Sequence, residues 1–293
     1  MKRSIVTLMT ALLMVCAMGA WALAADTVRL AVTDLEGMEE LQREFGVFKE
    51  KLGSLTGYDF EFFPVNNRTA AVEALKSKRV DFVLTGPAEY VVFKKRVHAE
   101  PVVGFSRPDY FGSIIVLASS GINSVKDLRG KKVAMGDVGS TSKHLAPMQI
   151  IKDNGLDPLK DIKTLHVDYK VGFEALKRRD VAALGTTNDK FMKMRSKDKQ
   201  LSAGAFKVIA RGPDLPNDVL LVGPHVDKNV VAKVRAAFAD HSDEMIAAIL
   251  TGEDNKKYKG MVFLPEVKDA DYNYVRSMYA TIGYPQYSEF VGD

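Results

Sequence analysis

What most constrains this chain is a secretory leader followed by a body without cysteine. Lys2 and Arg3 open the sequence with positive charge, residues 5–20 are mostly apolar, and Ala22-Leu23-Ala24 puts small residues where a signal peptidase reads them. This three-part plan predicts export, with cleavage after Ala24 and a 1–24 signal peptide. The apolar run is short beside the roughly 20 residues of a membrane-spanning helix. Cys16 lies in the middle of that run behind Met14 and Val15, out of place for a lipid anchor. Cys16 and Trp21 are the sole cysteine and tryptophan, so the 269 residues left after cleavage contain neither. An exported chain without disulfides must rely on a large hydrophobic core. Its length suits one large domain or two lobes.

Charge and motif content narrow the function classes. The formal charge of +4 falls to +2 once Lys2 and Arg3 are removed. That is too little to drive binding to nucleic acid or a membrane surface. Five histidines and no cysteine in the mature chain offer few metal ligands. No HExxH, CxxC or EF-hand pattern occurs, so neither a metal nor a cofactor is expected.

Strand and helix patterns alternate along the chain, predicting an α/β protein. Strands are expected at 28–32, 58–65, 82–85, 114–117, 132–135, 163–166, 181–184 and 206–210. Leu41, Phe45, Phe48, Leu52 and Leu55 recur every three or four residues, the spacing of one helical face, with Gly57 as the stop. Further helices are expected at 68–78, from about 88, at 143–154, at 229–250 and at 270–282. Residues 124–128 read as a short capped turn. Nothing resembles a Pro/Ser-rich linker, so two lobes would be joined by short crossings near 108–112 and 212–216.

Gly139-Ser140-Thr141-Ser142 falls between a predicted strand and a predicted helix. A helix N-terminus offers unpaired N–H groups and the positive end of the macrodipole. Three hydroxyls and a glycine there make a compact seat for a tetrahedral oxyanion, with Lys143 and His144 available for positive charge. The same residues could serve only as a helix cap. The stretch lacks GxxxxGK[ST], which argues against nucleotide hydrolysis. Ser142 and His144, two apart at a helix start, point away from each other and do not form a catalytic pair. Arg211, near a predicted crossing, is a further candidate for the ligand.

Asp127-Leu128-Arg129-Gly130-Lys131-Lys132, the 139–142 loop, Pro147 and Gly155-Leu156-Asp157-Pro158 together resemble the phosphate/phosphite/phosphonate-binding proteins of ABC transporters. Thr56-Gly57, Val80-Asp81-Phe82, Gly86-Pro87-Ala88-Glu89-Tyr90 and Leu215-Pro216-Asn217-Asp218 extend the resemblance over nearly the whole mature chain. It implies a two-lobed type II periplasmic-binding-protein fold with a cleft between the lobes. Lobe one would comprise 26–110 plus 215–293, and lobe two 111–214. It also implies that Ser140, Thr141 and Ser142 hold the oxyanion and that Tyr90 and Phe45 line the pocket. Where such proteins have a ligand-binding histidine, this chain has Tyr169, with His166 three positions earlier as the other candidate. The acidic residue that some members carry falls near Thr187-Asn188-Asp189.

The resemblance therefore implies a monomeric periplasmic capture protein rather than an enzyme. It would pass a phosphonate, phosphite or phosphate to an ABC permease. A membrane sensor kinase is the alternative partner, and a periplasmic hydrolase on the same fold is the third reading.

Overall fold

Leu41, Phe45, Phe48 and Leu52 are each at most 3 % exposed in a computed structural model of the chain. The model describes residues 26–289 and 292, apart from 34 and 36, so the expected leader lies outside the described residues. The helix that carries these four side chains, α1 (Met38–Thr56), ends at Gly57. Gly57 takes a φ of 76°, a left-handed conformation that costs glycine little, and donates its N–H to the Gly53 carbonyl.

The α1 stripe packs on a six-stranded sheet. Its strands are β1 (Thr27–Val32), β2 (Asp59–Phe62), β3 (Phe82–Thr85), β4 (Glu100–Phe105), β10 (Asp218–Val222) and β11 (Phe263–Leu264), in the order β11-β4-β10-β3-β1-β2. β1 runs parallel to β2 and β3, whereas β10 is antiparallel to both β3 and β4. The second sheet has β5 (Phe111–Leu117), β6 (Lys132–Met135), β7 (Lys163–His166), β8 (Ala183–Thr187) and β9 (Phe206–Asp214), in the order β7-β6-β8-β5-β9. The chain passes from the first sheet to the second between Phe105 and Phe111 and returns between Asp214 and Asp218. Each sheet with its helices forms one lobe of an α/β fold.

The remaining helices are α2 (Arg68–Lys76), α3 (Pro87–Val97), α4 (Ala146–Asp153), α5 (Tyr169–Lys177), α6 (Asn188–Lys197), α7 (Lys228–Asp240), α8 (Ser242–Ile249) and α9 (Asn273–Thr281). The sequence pattern predicts one helix over 229–250, but the chain breaks at His241 into α7 and α8, both of which pack on α1. A straight helix of that length would carry its far end away from α1. α9 touches both lobes: the Tyr279 hydroxyl donates to the Ala88 carbonyl, and Thr281 bonds Gln149 on α4. One apolar cluster accordingly runs from Ala31 and Val83 of the first sheet to Ile114, Val133 and Met135 of the second.

Caps make smaller contributions. The Asn67 side chain accepts from the Ala70 N–H at 2.8 Å, capping α2. Asn67→Ala should therefore lower stability by about 1 kcal/mol in urea unfolding. A variant as stable as the parent would show that water serves that end of the helix equally well.

Candidate functional site

A polar cavity of about 310 Å³ lies between the lobes, at the carboxyl ends of β1, β3 and β8. Strands feed helices there, so helix N-termini converge on it: Gly86 caps α3, Tyr169 opens α5 and Thr187 precedes α6. Each brings the positive end of a helix dipole to the cavity, although Asp168 takes the Lys170 N–H and Pro87 has none to offer. This is where α/β sheets place their ligands.

The 139–142 loop forms the wall on the second-lobe side. Gly139 has a φ of 87°, in the left-handed region, which lets the chain turn sharply after β6. A single π-helical turn, Thr141–Leu145, then leads into α4. Its i→i−5 bond runs from the Leu145 N–H to the Ser140 carbonyl at 3.0 Å. The wider turn lets Ser140, Thr141 and Ser142 all line the cavity, each buried against the rest of the protein. Such turns often mark functional sites.

Thr141 does more than face the cavity. Its Oγ1 accepts from the Ala88 N–H at 2.9 Å, across the cleft. It thereby satisfies an N-terminal donor of α3 in the opposite lobe. A hydroxyl that accepts one bond still has its own proton to donate.

Of the two positive groups that the sequence suggests, Lys143 lines the cavity and His144 does not. Lys143 pairs with Asp137 at 2.6 Å. His144 turns inward, and its Nδ1 accepts from the Gly139 N–H at 3.1 Å. Burial, together with the edge-on ring of His166 at 4.6 Å, lowers its pKa to about 3, so the ring is neutral and braces the loop from behind.

Of the other residues singled out from the sequence, Phe45 lines the cavity while packing edge-on to Phe48 at 6.0 Å. Tyr169 also lines it. His166 does not; its Nδ1 lies 2.8 Å from the Gly136 carbonyl. Tyr90 departs from expectation. It is buried behind α3, its ring centroid 4.1 Å from that of Tyr272 and its hydroxyl donating to Asp269 at 3.0 Å. Being the fourth residue of α3, Tyr90 points back into the core, whereas Gly86 and Glu89 face the cavity. Arg211 stays outside, pairing with Asp214 and stacking on Phe111.

Arg107 is one of several basic cavity residues that no sequence motif marks. It sits in the first crossing segment, between Phe105 and Phe111, and lines the cavity from there. Its guanidinium carbon lies 3.5 Å from the Tyr110 ring centroid, and its Nη1 is 3.5 Å from Asp218. Its Nε is buried without a hydrogen-bond partner among the described residues. Asn217 accepts from the Arg107 backbone N–H at 2.9 Å, tying the two crossings together, and Asp218 accepts from Tyr258 at 2.6 Å. These contacts give Leu215-Pro216-Asn217-Asp218 a physical role. Thr187 was likewise not singled out as a ligand residue; it lines the cavity with Oγ1 buried and without a partner among the described residues. The nearby acidic candidate, Asp189, does not line it.

Among the described residues, no group of three or more His, Cys, Asp or Glu could hold a metal ion. No helix among them is long and apolar enough to cross a membrane.

Comparison with known proteins places the chain in a family. The family described as "ABC transporter, phosphonate, periplasmic substrate-binding protein" matches residues 30–259. The phosphate-import protein PhnD of Mycolicibacterium smegmatis is 24 % identical over 235 residues, spanning 74 % of this chain and 73 % of its own. The phosphonates-binding periplasmic protein of Escherichia coli is 21 % identical over 225 residues, spanning 73 % of this chain and 66 % of its own. A crystal structure of a binding-protein component of an ABC phosphonate transporter from Pseudomonas aeruginosa shares the fold. Its TM-score is 0.66 at 19 % identity, covering 87 % of this chain and 85 % of that one. This chain belongs to the phosphonate-binding family of periplasmic substrate-binding proteins of ABC transporters.

Proposed function

We propose that the chain captures a tetrahedral oxyanion of the phosphonate, phosphite or phosphate class in the cleft between its lobes and delivers it to an ABC permease. The observation that carries this reading is the juxtaposition of two donor arrays. The 140–142 hydroxyls of one lobe meet the α3 N-terminus of the other, joined by the Ala88 N–H to Thr141 Oγ1 bond. An oxyanion seated there would bridge the lobes and hold them shut, a hinge closure that a permease can read. Arg107, with its unpartnered Nε, supplies a charge-assisted bond at the hinge. Relatives named for phosphate import and for phosphonate binding both bear on the ligand class.

Among the described residues, Ser142 and His144 form no nucleophile–base pair in the cleft. Ser142 lines it, while His144 is turned away and committed to Gly139. Binding without turnover is the function this arrangement supports. The chain would act in the periplasm after cleavage behind Ala24.

Thr141→Ala tests the reading directly. It removes one donor to a charged ligand and one bond across the cleft. A charge-assisted bond contributes roughly 1.5–3 kcal/mol, so affinity should fall about ten- to a hundredfold for every ligand that shares the oxyanion. Calorimetry with phosphate, phosphite and methylphosphonate would measure it. Affinities within twofold of the parent, in a folded variant, would reduce the loop to a helix cap and place the oxyanion elsewhere.

A further inference from the structure

Two lysines on the cavity wall stand where helix electrostatics disfavours them. Lys170 is the second residue of α5 and Lys190 the third of α6, and both line the cavity. The first turn of a helix favours carboxylates, because the macrodipole already places positive charge there. Both ammonium groups lie over the ring of Tyr169, Lys170 at 5.7 Å and Lys190 at 5.4 Å from its centroid. Lys190 makes no hydrogen bond or ion pair within 4 Å among the described residues. Burial holds its pKa below the ordinary lysine value. Asp189 and Asp254 act on it only from beyond ion-pair distance, and a partly dehydrated cation so placed gains from a closer counter-ion.

The cavity's own carboxylates are largely committed. Glu89 is held by Arg68, Asp218 by Arg107 and Tyr258, and Glu40 by Arg43. Asp189, off the cavity wall, and the exposed Asp254 both stand more than 4 Å from the Lys190 ammonium, and Lys257 on the same wall leans toward Asp218 at 3.8 Å. Thr187, three residues before Lys190, adds its buried, unpartnered Oγ1 to this wall.

We infer that this end of the cleft is a second anion subsite. It selects ligands that carry a further negative group beside the tetrahedral oxyanion, and it rejects aminoalkyl phosphonates. The inference rests on the oxyanion reading above. Lys190 and Lys170 supply the charge, Tyr169 orients both, and Thr187 donates a hydrogen bond. The shared chemistry is an anionic substituent, offered either as a carboxylate or as a second phosphoryl group.

Calorimetry on the mature chain at low salt tests it with four probes: methylphosphonate, phosphonoacetate, pyrophosphate and 2-aminoethylphosphonate. Phosphonoacetate or pyrophosphate should bind about tenfold or more tightly than methylphosphonate, and 2-aminoethylphosphonate about tenfold or more weakly. Which dianion leads distinguishes carboxylate from phosphoryl. In Lys190→Glu the order should invert, with 2-aminoethylphosphonate overtaking phosphonoacetate. Lys190→Met should shrink the dianion preference to within about threefold, a change that general destabilisation would not produce. If methylphosphonate binds and both dianions match it within threefold, the subsite is overturned while the oxyanion site stands. If none of the four probes nor phosphate binds, the oxyanion reading falls and takes the subsite with it.

Discussion

Arg107→Met should abolish most of the ligand affinity and destabilise the fold as well. The guanidinium stacks on Tyr110 and faces Asp218 in a buried setting, with its Nε buried and without a hydrogen-bond partner among the described residues. Methionine keeps the stem and the contact with the ring but loses every donor. A lost charge-assisted interaction with an anion in the cleft should weaken binding by roughly a hundredfold. Removing one partner of a buried ion pair costs about 3–5 kcal/mol, because the other charge stays buried. Asp218 keeps the Tyr258 hydroxyl and Lys257 nearby, so the lower end of that range is expected. Arg107→Lys restores charge without the planar fork and should recover stability more than affinity. Urea unfolding and calorimetry separate the two effects. Ligand affinity within twofold of the parent in a folded Arg107→Met protein would make Arg107 a strut between the crossings and nothing more.

Acid should weaken the protein through His144 well before the carboxylates protonate. The folded ring titrates at about 3, against about 6.5 for an ordinary histidine. The unfolded chain therefore takes up the proton first, and stability rises with pH through this interval. The His144 contribution is fully present above about pH 6.5. It is lost progressively as pH falls, until the folded ring itself protonates near pH 3. The slope is about 1.4 kcal/mol per pH unit, so roughly 2 kcal/mol should go between pH 7 and pH 5. The groups around the ring are His166 edge-on and the Gly139 N–H, with Lys143 held by Asp137 on the loop's outer side. His144→Gln can still accept from Gly139 and carries no titrating proton, so its stability should change by less than half as much over the same range. Urea midpoints at pH 7 and pH 5 for both proteins decide this. Equal losses in the two would assign the acid sensitivity to other groups.

The secondary structure was most legible where the periodicity served a single purpose. Leu41, Phe45, Phe48 and Leu52 all face one core, and α1 forms as their spacing predicts. The segment 229–250 carries the same kind of pattern but serves two packing directions, and the break at His241 has no local marker as strong as Gly57. β10 illustrates a different gap. Val219 to Val222 is a short apolar run, and its placement as a central strand antiparallel to β3 and β4 depends on residues more than a hundred positions away.

The site divides in the same manner. Ser140, Thr141 and Ser142 were found because glycine, hydroxyls and a strand-to-helix junction coincide within four residues. Tyr90 was assigned by resemblance alone, and helical phase turns it to the core, where burial pushes its phenol well above the ordinary value. Arg107 and Lys190 carry no local pattern. A lone arginine before a proline and a lysine in a first turn look like solvated surface residues until the lobes close around them.

The sequence by itself determined the α/β alternation, the hydroxyl loop and the resemblance to a binding-protein family, and raised the expectation of an export leader, because each is written within short windows or in a fixed order of motifs. Only the tertiary structure decided which charges face the ligand and which face one another. Counter-ion pairing and burial depend on side chains brought together from distant segments. On the cavity wall Lys143 is paired with Asp137 and Arg107 with Asp218, while Lys190 has no hydrogen bond or ion pair within 4 Å among the described residues; His144, off the wall, is discharged by burial.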